Sequence, residues 1–179
     1  MPLLISIIGL AVIFAVFIAI YNRIVQLKYL AEEDWSGIDV QLKRRFDLIP
    51  NLVGIVRGYA NYERGVLEQL TDIRSRLTYP STIKGKKVYE TGLSLAIKTL
   101  YVVAEAYPDL KANQNFIDLQ KNISDVEGQI QYARRYYNGS ARNFNVAIRT
   151  FPGNIMALLF KFRPYEFFEI EFVRALKQF

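Results

Sequence analysis

The sequence predicts an all-α protein in which one N-terminal transmembrane helix continues into a cytoplasmic bundle of long helices. Three observations predict the helices. The run from Pro2 to Tyr21 carries no formal charge. Beyond Asn22, apolar residues recur at three- and four-residue steps along most of the chain, the period of one helix face. With only 10 Gly and 6 Pro in 179 residues, there is little material for long disordered linkers. The expected organisation is an anchor over residues 1–22, a helical bundle domain over 23–163 and an aromatic C-terminal tail over 164–179. After the anchor, about 130 to 150 residues are left, a size that can bury its own core.

The anchor comes first. As a helix rising about 1.5 Å per residue, Pro2 to Tyr21 covers about 30 Å, the thickness of a bilayer's hydrocarbon core. A cleavable signal peptide would need a basic leading region and small residues at the cleavage position. Here no Lys or Arg precedes the run, and Phe17 stands three residues before the cleavage that Ala19 would otherwise suggest. A buried core helix would be shorter or interrupted by polar residues. Tyr21 and Asn22 mark the interface. Arg23 and Lys28 flank the C-terminal end of the run, so the positive-inside rule places the N-terminus outside and the domain in the cytoplasm.

From Ile24 the helix turns amphipathic, with Ala31, Trp35, Ile38, Leu42 and Ile49 on one face. Glu32, Glu33 and Asp34 lie between them, and Asp39 stands four residues before Lys43, the favourable order for a helical ion pair. Trp35 is about 20 Å along the helix from the membrane edge, which favours a core role. Pro50 then removes a backbone donor and crowds the carbonyl of Phe46, so the sequence predicts either a kink or a stop with a new helix beginning there. Arg44, Arg45, Asp47 and Asn51 surround this hinge. They are read as a structural network, with an exposed basic patch against anionic lipid as the alternative.

Tyr21-Asn22, Trp35, Ile38 to Leu42, Lys43-Arg44-Arg45, Asp47 to Val53, Gly58-Tyr59-Ala60 and Glu63 together carry a resemblance: around this hinge the chain resembles the LemA family. The resemblance continues in Glu105 to Pro108 with Leu110, in Phe116, Leu119-Gln120, Ala133-Arg134, Tyr137-Asn138, Asn145 and Phe151-Pro152. It departs at Tyr62, where many members carry His, and at Gly128, where Asn is common. The resemblance implies a single N-terminal membrane helix and an α-helical cytoplasmic domain of antiparallel long helices; it brings no molecular activity.

A second helix is expected from Pro50 to about Leu77, with Gly54 and Gly58 on one face as a site of close helix approach. Tyr79 to Lys87 reads as a loop whose lysines Lys84, Lys86 and Lys87, together with Arg23 and Lys28, are candidate lipid contacts; solvated surface cations are the blander reading. Val88 to Tyr107 is a short buried helix ended by Pro108. The last long helix is expected from Ala112 to Phe151. Its coiled-coil-like seam has a gap near Ser140 and Ala141, and its polar stripe of Arg134, Asn138, Arg142 and Asn145 is expected to meet Asp47, Asn51 or Glu63 across the bundle. The tail, with Phe168, Ile170 and Phe172 alternating with Glu169 and Glu171, is expected to lie extended on its own domain or on a neighbouring subunit.

With 0 His and 0 Cys, the chain lacks thiol and imidazole nucleophiles, disulfides and the usual zinc ligands. Paired carboxylates such as Glu63 and Glu127 are weak candidates for acid–base work, so no catalytic residue, cofactor or metal is expected. The net charge of +6 is spread among 17 acids, which favours a membrane-proximal bias over specific nucleic-acid binding. The expected partners are the lipid bilayer, further copies of the chain in a homo-oligomer, and other membrane proteins. The expected function is that of a membrane-anchored structural or interaction protein that self-associates and organises or shapes membrane. A lipid- or protein-binding signalling module is the alternative.

Overall fold

The apolar run and the periodic stretch behind it form one helix. A computed structural model describes residues 1–59 and 83–168. Within these, α1 (Pro2–Tyr59) runs for 58 residues with Pro50 inside it, followed by α2 (Ile83–Glu105), α3 (Pro108–Lys111), α4 (Gln114–Ala147) and α5 (Gly153–Phe160). Among the described residues there is no strand. α1 also holds a segment long and apolar enough to cross a membrane, none of it buried against the rest of the chain.

Pro50 does not end the helix. An interior proline costs about 3 kcal/mol, but Ile49, Leu52 and Val56 around it are buried, and each such side chain contributes about 1.5 to 3 kcal/mol. Burial therefore outweighs the lost hydrogen bond, and the expected hinge is a continuous helix. The part of the second helix expected beyond Tyr59, with Glu63, lies outside the described residues. So do Tyr62 and the start of the expected loop. Gly54 and Gly58 are exposed, with open space where a Cβ would stand; among the described residues the expected close approach at this pair is absent.

Residues 83–87 of the expected loop belong to α2, which already begins at Ile83. Its register places Lys86, Tyr89, Leu93, Ile97 and Leu100 on the buried side. Pro108 sits in the first turn of α3, where its missing N–H costs nothing. α4 starts at Gln114 rather than Ala112 because the Asn113 side chain accepts a hydrogen bond from the Phe116 N–H at 3.2 Å, an N-cap. It ends at Ala147, so Phe151 lies beyond it, 80% exposed instead of in the seam. The gap in that seam is filled: Ser140 and Ala141 are both buried.

The chain divides into two compact units, one of Met1–Gly37 with Ala133–Phe167, the other of Ile38–Tyr132 with Phe168–Phe179. In the first, Ile24 and Leu27 share a core with Phe144, Ile148 and Met156. Farther along, Trp35 meets Tyr137 with ring centroids 5.2 Å apart, so α1 and α4 run antiparallel there. In the second, Ile49, Leu52 and Val56 share a core with Tyr89, Leu93, Leu100, Leu110, Phe116 and Ile123.

Candidate functional site

In the second unit the buried seam of α1 runs Ile38, Leu42, Arg45, Ile49, Leu52, Val56, in steps of four and three. Arg45 thus occupies a core position, and only 2% of it is exposed. Its guanidinium donates to the Ser94 hydroxyl at 3.1 Å on α2 and to the Glu127 carboxylate on α4, tying three helices together. Burial pulls the guanidinium pKa down while Glu127 opposes that shift. Tyr89 and Tyr101 flank the site, and burial raises both phenols above their ordinary value, with Arg45 opposing. The adjacent cations and acids behave differently: Arg44, Asp47 and Asn51 are exposed, and Pro50 is half-buried.

Lys86 repeats the pattern on α2. The residue is 3% exposed and its ammonium pairs with Asp39 of α1. This corrects the expectation for Lys86, which is a buried partner of Asp39 rather than a lipid contact. Lys87 stands over the Phe168 ring at 5.8 Å. Arg23 is exposed, and Lys28 lies 3.5 Å from Glu32 one turn on. The side chain of Lys84 lies outside the described residues.

In the first unit a different network holds residues 162–167, which have no regular secondary structure. Asn145 bonds the Tyr165 backbone from both sides: its amide donates to the Tyr165 carbonyl at 2.8 Å, and its own carbonyl accepts from the Tyr165 N–H at 2.8 Å. The Tyr165 hydroxyl donates to Glu32 at 2.9 Å. The Tyr137 hydroxyl donates to the Glu166 carbonyl at 2.7 Å, and the Ser140 hydroxyl donates to Asp34. Burial pushes the Tyr137 phenol up to about 12, helped by Glu166, and pushes the Tyr165 phenol up as well, helped by Glu32.

The expected network is therefore divided. Arg45 belongs to one unit and Arg134, Asn138 and Asn145 to the other. The partners of Arg45 are Ser94 and Glu127, and those of Asn145 are the two backbone groups of Tyr165. Arg134 and Asn138 are half-buried with contacts of their own, and Arg142 is exposed. Glu127, Ser94, Glu32 and Asp34 were not recognisable as partners from the sequence. The usable signal was a polar residue at an apolar seam position: Arg45 in α1, Lys86 in α2, Ser140 and Asn145 in α4. Chemically these clusters join helices. Glu127, Asp39, Asp34 and Glu32 each face a cation or hydroxyl of the same chain, and among the described residues no acidic group is arranged as a metal site.

The sequence model of the LemA family matches residues 34–177. Protein LemA of Metamycoplasma hominis is 28% identical over 156 residues, covering 87% of this chain and 71% of that protein. Magnetosome protein MamQ of Magnetospirillum gryphiswaldense is 24% identical over 192 residues, covering 93% of this chain and 71% of that protein. Magnetosome protein MamQ 2 of Paramagnetospirillum magneticum is 22% identical over 193 residues with the same coverage.

Proposed function

The chain belongs to the LemA family, and from that premise we propose that it is a single-pass membrane-anchored structural protein that self-associates through its helical domain and organises membrane. The observation that carries this reading is α1: its first turns are uncharged and exposed, and the same helix, without interruption, then buries a seam in a bundle core. A helix that is apolar all round and left uncovered by its own chain is what a bilayer would cover. The layout is an anchor over 1–22, a bundle over 23–163 and a tail from 164, with the N-terminus outside and the bundle cytoplasmic, as Arg23 and Lys28 favour.

Self-association is supported by α2. Val88, Leu95 and Val102 stand seven residues apart and are all more than half exposed, which leaves one heptad column of the helix uncovered. Two relatives are named as magnetosome proteins, and the names of the relatives describe no reaction; the proposed role needs none. The signalling-module alternative loses ground with Lys86, which is engaged by Asp39.

Native mass measurement of the full chain in detergent tests the proposal. A defined oligomer is expected, reduced in size by Leu95→Lys, a substitution at an exposed position that leaves the core intact. A strict monomer over the accessible concentration range would overturn self-association.

A further inference from the structure

Among the described residues, α5 (Gly153–Phe160) is the most apolar helix after the span, yet it leaves much of that surface uncovered. Ile155, Leu159 and Phe160 are about half exposed, and Leu158 is 82% exposed. Its inner side is anchored by Met156 in the core with Ile24 and Phe144. Gly153 packs so tightly that an added Cβ would collide with the Ala147 carbonyl, and it would lie 3.5 Å from Ile24. At the other end, the Phe160 ring lies 4.6 Å from that of Tyr21 and 6.5 Å from that of Phe17. Gly153 to Phe160 climbs about 10 Å, the same rise as from Ile24 back to Phe17. α5 therefore runs antiparallel beside α1, from just outside the apolar run to about one turn inside it.

The chain turns back at that tip. Lys161 adopts the left-handed conformation, and the N–H groups of Lys161 and Phe162 both reach the Ala157 carbonyl, closing the helix end. Phe162 then lies 6.3 Å from Tyr21. Exposed cations bracket the segment: Arg149 before it, Lys161 and Arg163 after it.

We propose that α5 is a second membrane contact, a short re-entrant wedge whose Ile155, Leu158 and Leu159 enter the acyl region of the leaflet where α1 emerges. The proposal rests on the reading of Pro2 to Tyr21 as a membrane span. Three features select lipid as the occupant. The uncovered apolar surface continues directly from the lipid-facing surface of α1 through Phe17, Tyr21 and Phe160. Its depth, set by those rings, is that of a headgroup–acyl boundary. The flanking cations sit where long side chains reach phosphates while their stems stay in the apolar layer.

The absence of cysteine from the chain makes the test direct. The full-length protein, reconstituted in vesicles of mixed zwitterionic and anionic phospholipid, would carry one spin label at a time at Leu158→Cys, Leu159→Cys, Leu10→Cys within the span, or Arg142→Cys on the exposed side of α4. Collision with oxygen, which concentrates in lipid, is compared with collision with a water-soluble nickel chelate. The oxygen-to-nickel ratio at 158 and 159 is expected to be several-fold above that at 142 and below that at 10. A ratio at 158 and 159 equal to that at 142, with 10 still lipid-exposed, overturns the wedge and leaves the span standing. Low collision with both agents at 158 and 159 would mean burial against protein and also overturns it. An aqueous reading at 10 would sink the span, and the wedge with it.

Discussion

The two compact units hold their helices with different chemistry. In the unit of residues 38–132, buried seam positions carry cations: Arg45 on Glu127 and Ser94, Lys86 on Asp39. In the unit that includes the apolar run, the buried polar side chains among the described residues are neutral donors, the Asn145 amide and the Ser140 hydroxyl, joined by the phenols of Tyr137 and Tyr165, while its Arg134 is only half-buried. Dehydrating an ammonium or guanidinium costs several kcal/mol, far more than dehydrating an amide or hydroxyl that finds a partner. Neutral donors therefore suit the unit that holds the long apolar run. They also suit its task, because residues 162–167 have no helical ladder to satisfy their backbone, whereas the cations of the other unit join helices whose backbones are already satisfied.

The comparison breaks most sharply at Glu127. Its carboxylate is 44% exposed while the Arg45 side chain is 3% exposed, so the two halves of the pair are not equivalent. Glu127→Ala strands a buried guanidinium and is expected to cost about 3 kcal/mol. Arg45→Met returns a half-exposed carboxylate to water and fills the seam with an apolar stem, so a change within about 1 kcal/mol is expected. Urea unfolding of both variants in detergent measures the difference. Equal losses would mean that Arg45 is needed for more than its charge balance.

Asn145→Leu probes the neutral side of the comparison. It removes two hydrogen bonds and leaves the Tyr165 N–H and carbonyl without those partners, an expected loss of about 2 kcal/mol. The effect should be local: faster trypsin cleavage after Lys161, the Arg163–Pro164 bond being resistant to trypsin, with far-UV circular dichroism retained. Cleavage at the parent rate would show that the aromatic rings of Phe162 and Tyr165 against Phe144 suffice to hold the segment.

Much of this architecture is legible in the sequence, and the lapses have physical causes. The helix long and apolar enough to cross a membrane and the long helices behind it follow from hydropathy and period, while their antiparallel arrangement is what the family resemblance implies. The effect of Pro50 was not decidable, because local propensity argues for a break and only tertiary burial of Ile49, Leu52 and Val56 decides against it. Lys86 looked like a loop cation because Gly85 and its neighbouring lysines masked the start of α2. Its position three before Tyr89 and seven before Leu93 was the available clue. The Arg45–Glu127 and Tyr165–Glu32 contacts join residues far apart in the chain, and no local pattern encodes such partners.

The Tyr137 contact also has a signature in the alkaline range. The native state holds the Tyr137 phenol neutral up to about pH 12, while in the unfolded chain a tyrosine ionises near pH 10. Its contribution to stability is therefore complete below about pH 10 and is lost as pH rises towards 12. Tyr137→Phe is expected to cost about 1 kcal/mol at neutral pH through the lost bond to Glu166 and to flatten the alkaline decline, followed by circular dichroism together with tyrosinate absorbance. A decline of unchanged steepness would assign the titration to Tyr165, or to Tyr89 and Tyr101 in the other unit.

The smallest expected effect concerns the turn at Lys161, whose φ is 56°. A side chain in the left-handed region costs about 1 to 2 kcal/mol, and glycine escapes that cost while losing about 0.5 to 1 kcal/mol to its greater freedom in the unfolded chain. Lys161→Gly is therefore expected to stabilise the unit by about 0.5 kcal/mol in detergent, measured by thermal unfolding. In vesicles with anionic lipid the gain should vanish, because the substitution also removes a cation that reaches phosphate from the tip of α5. An equal gain in both media would mean that Lys161 makes no lipid contact, and the strained lysine would then have no counterpart in membrane binding.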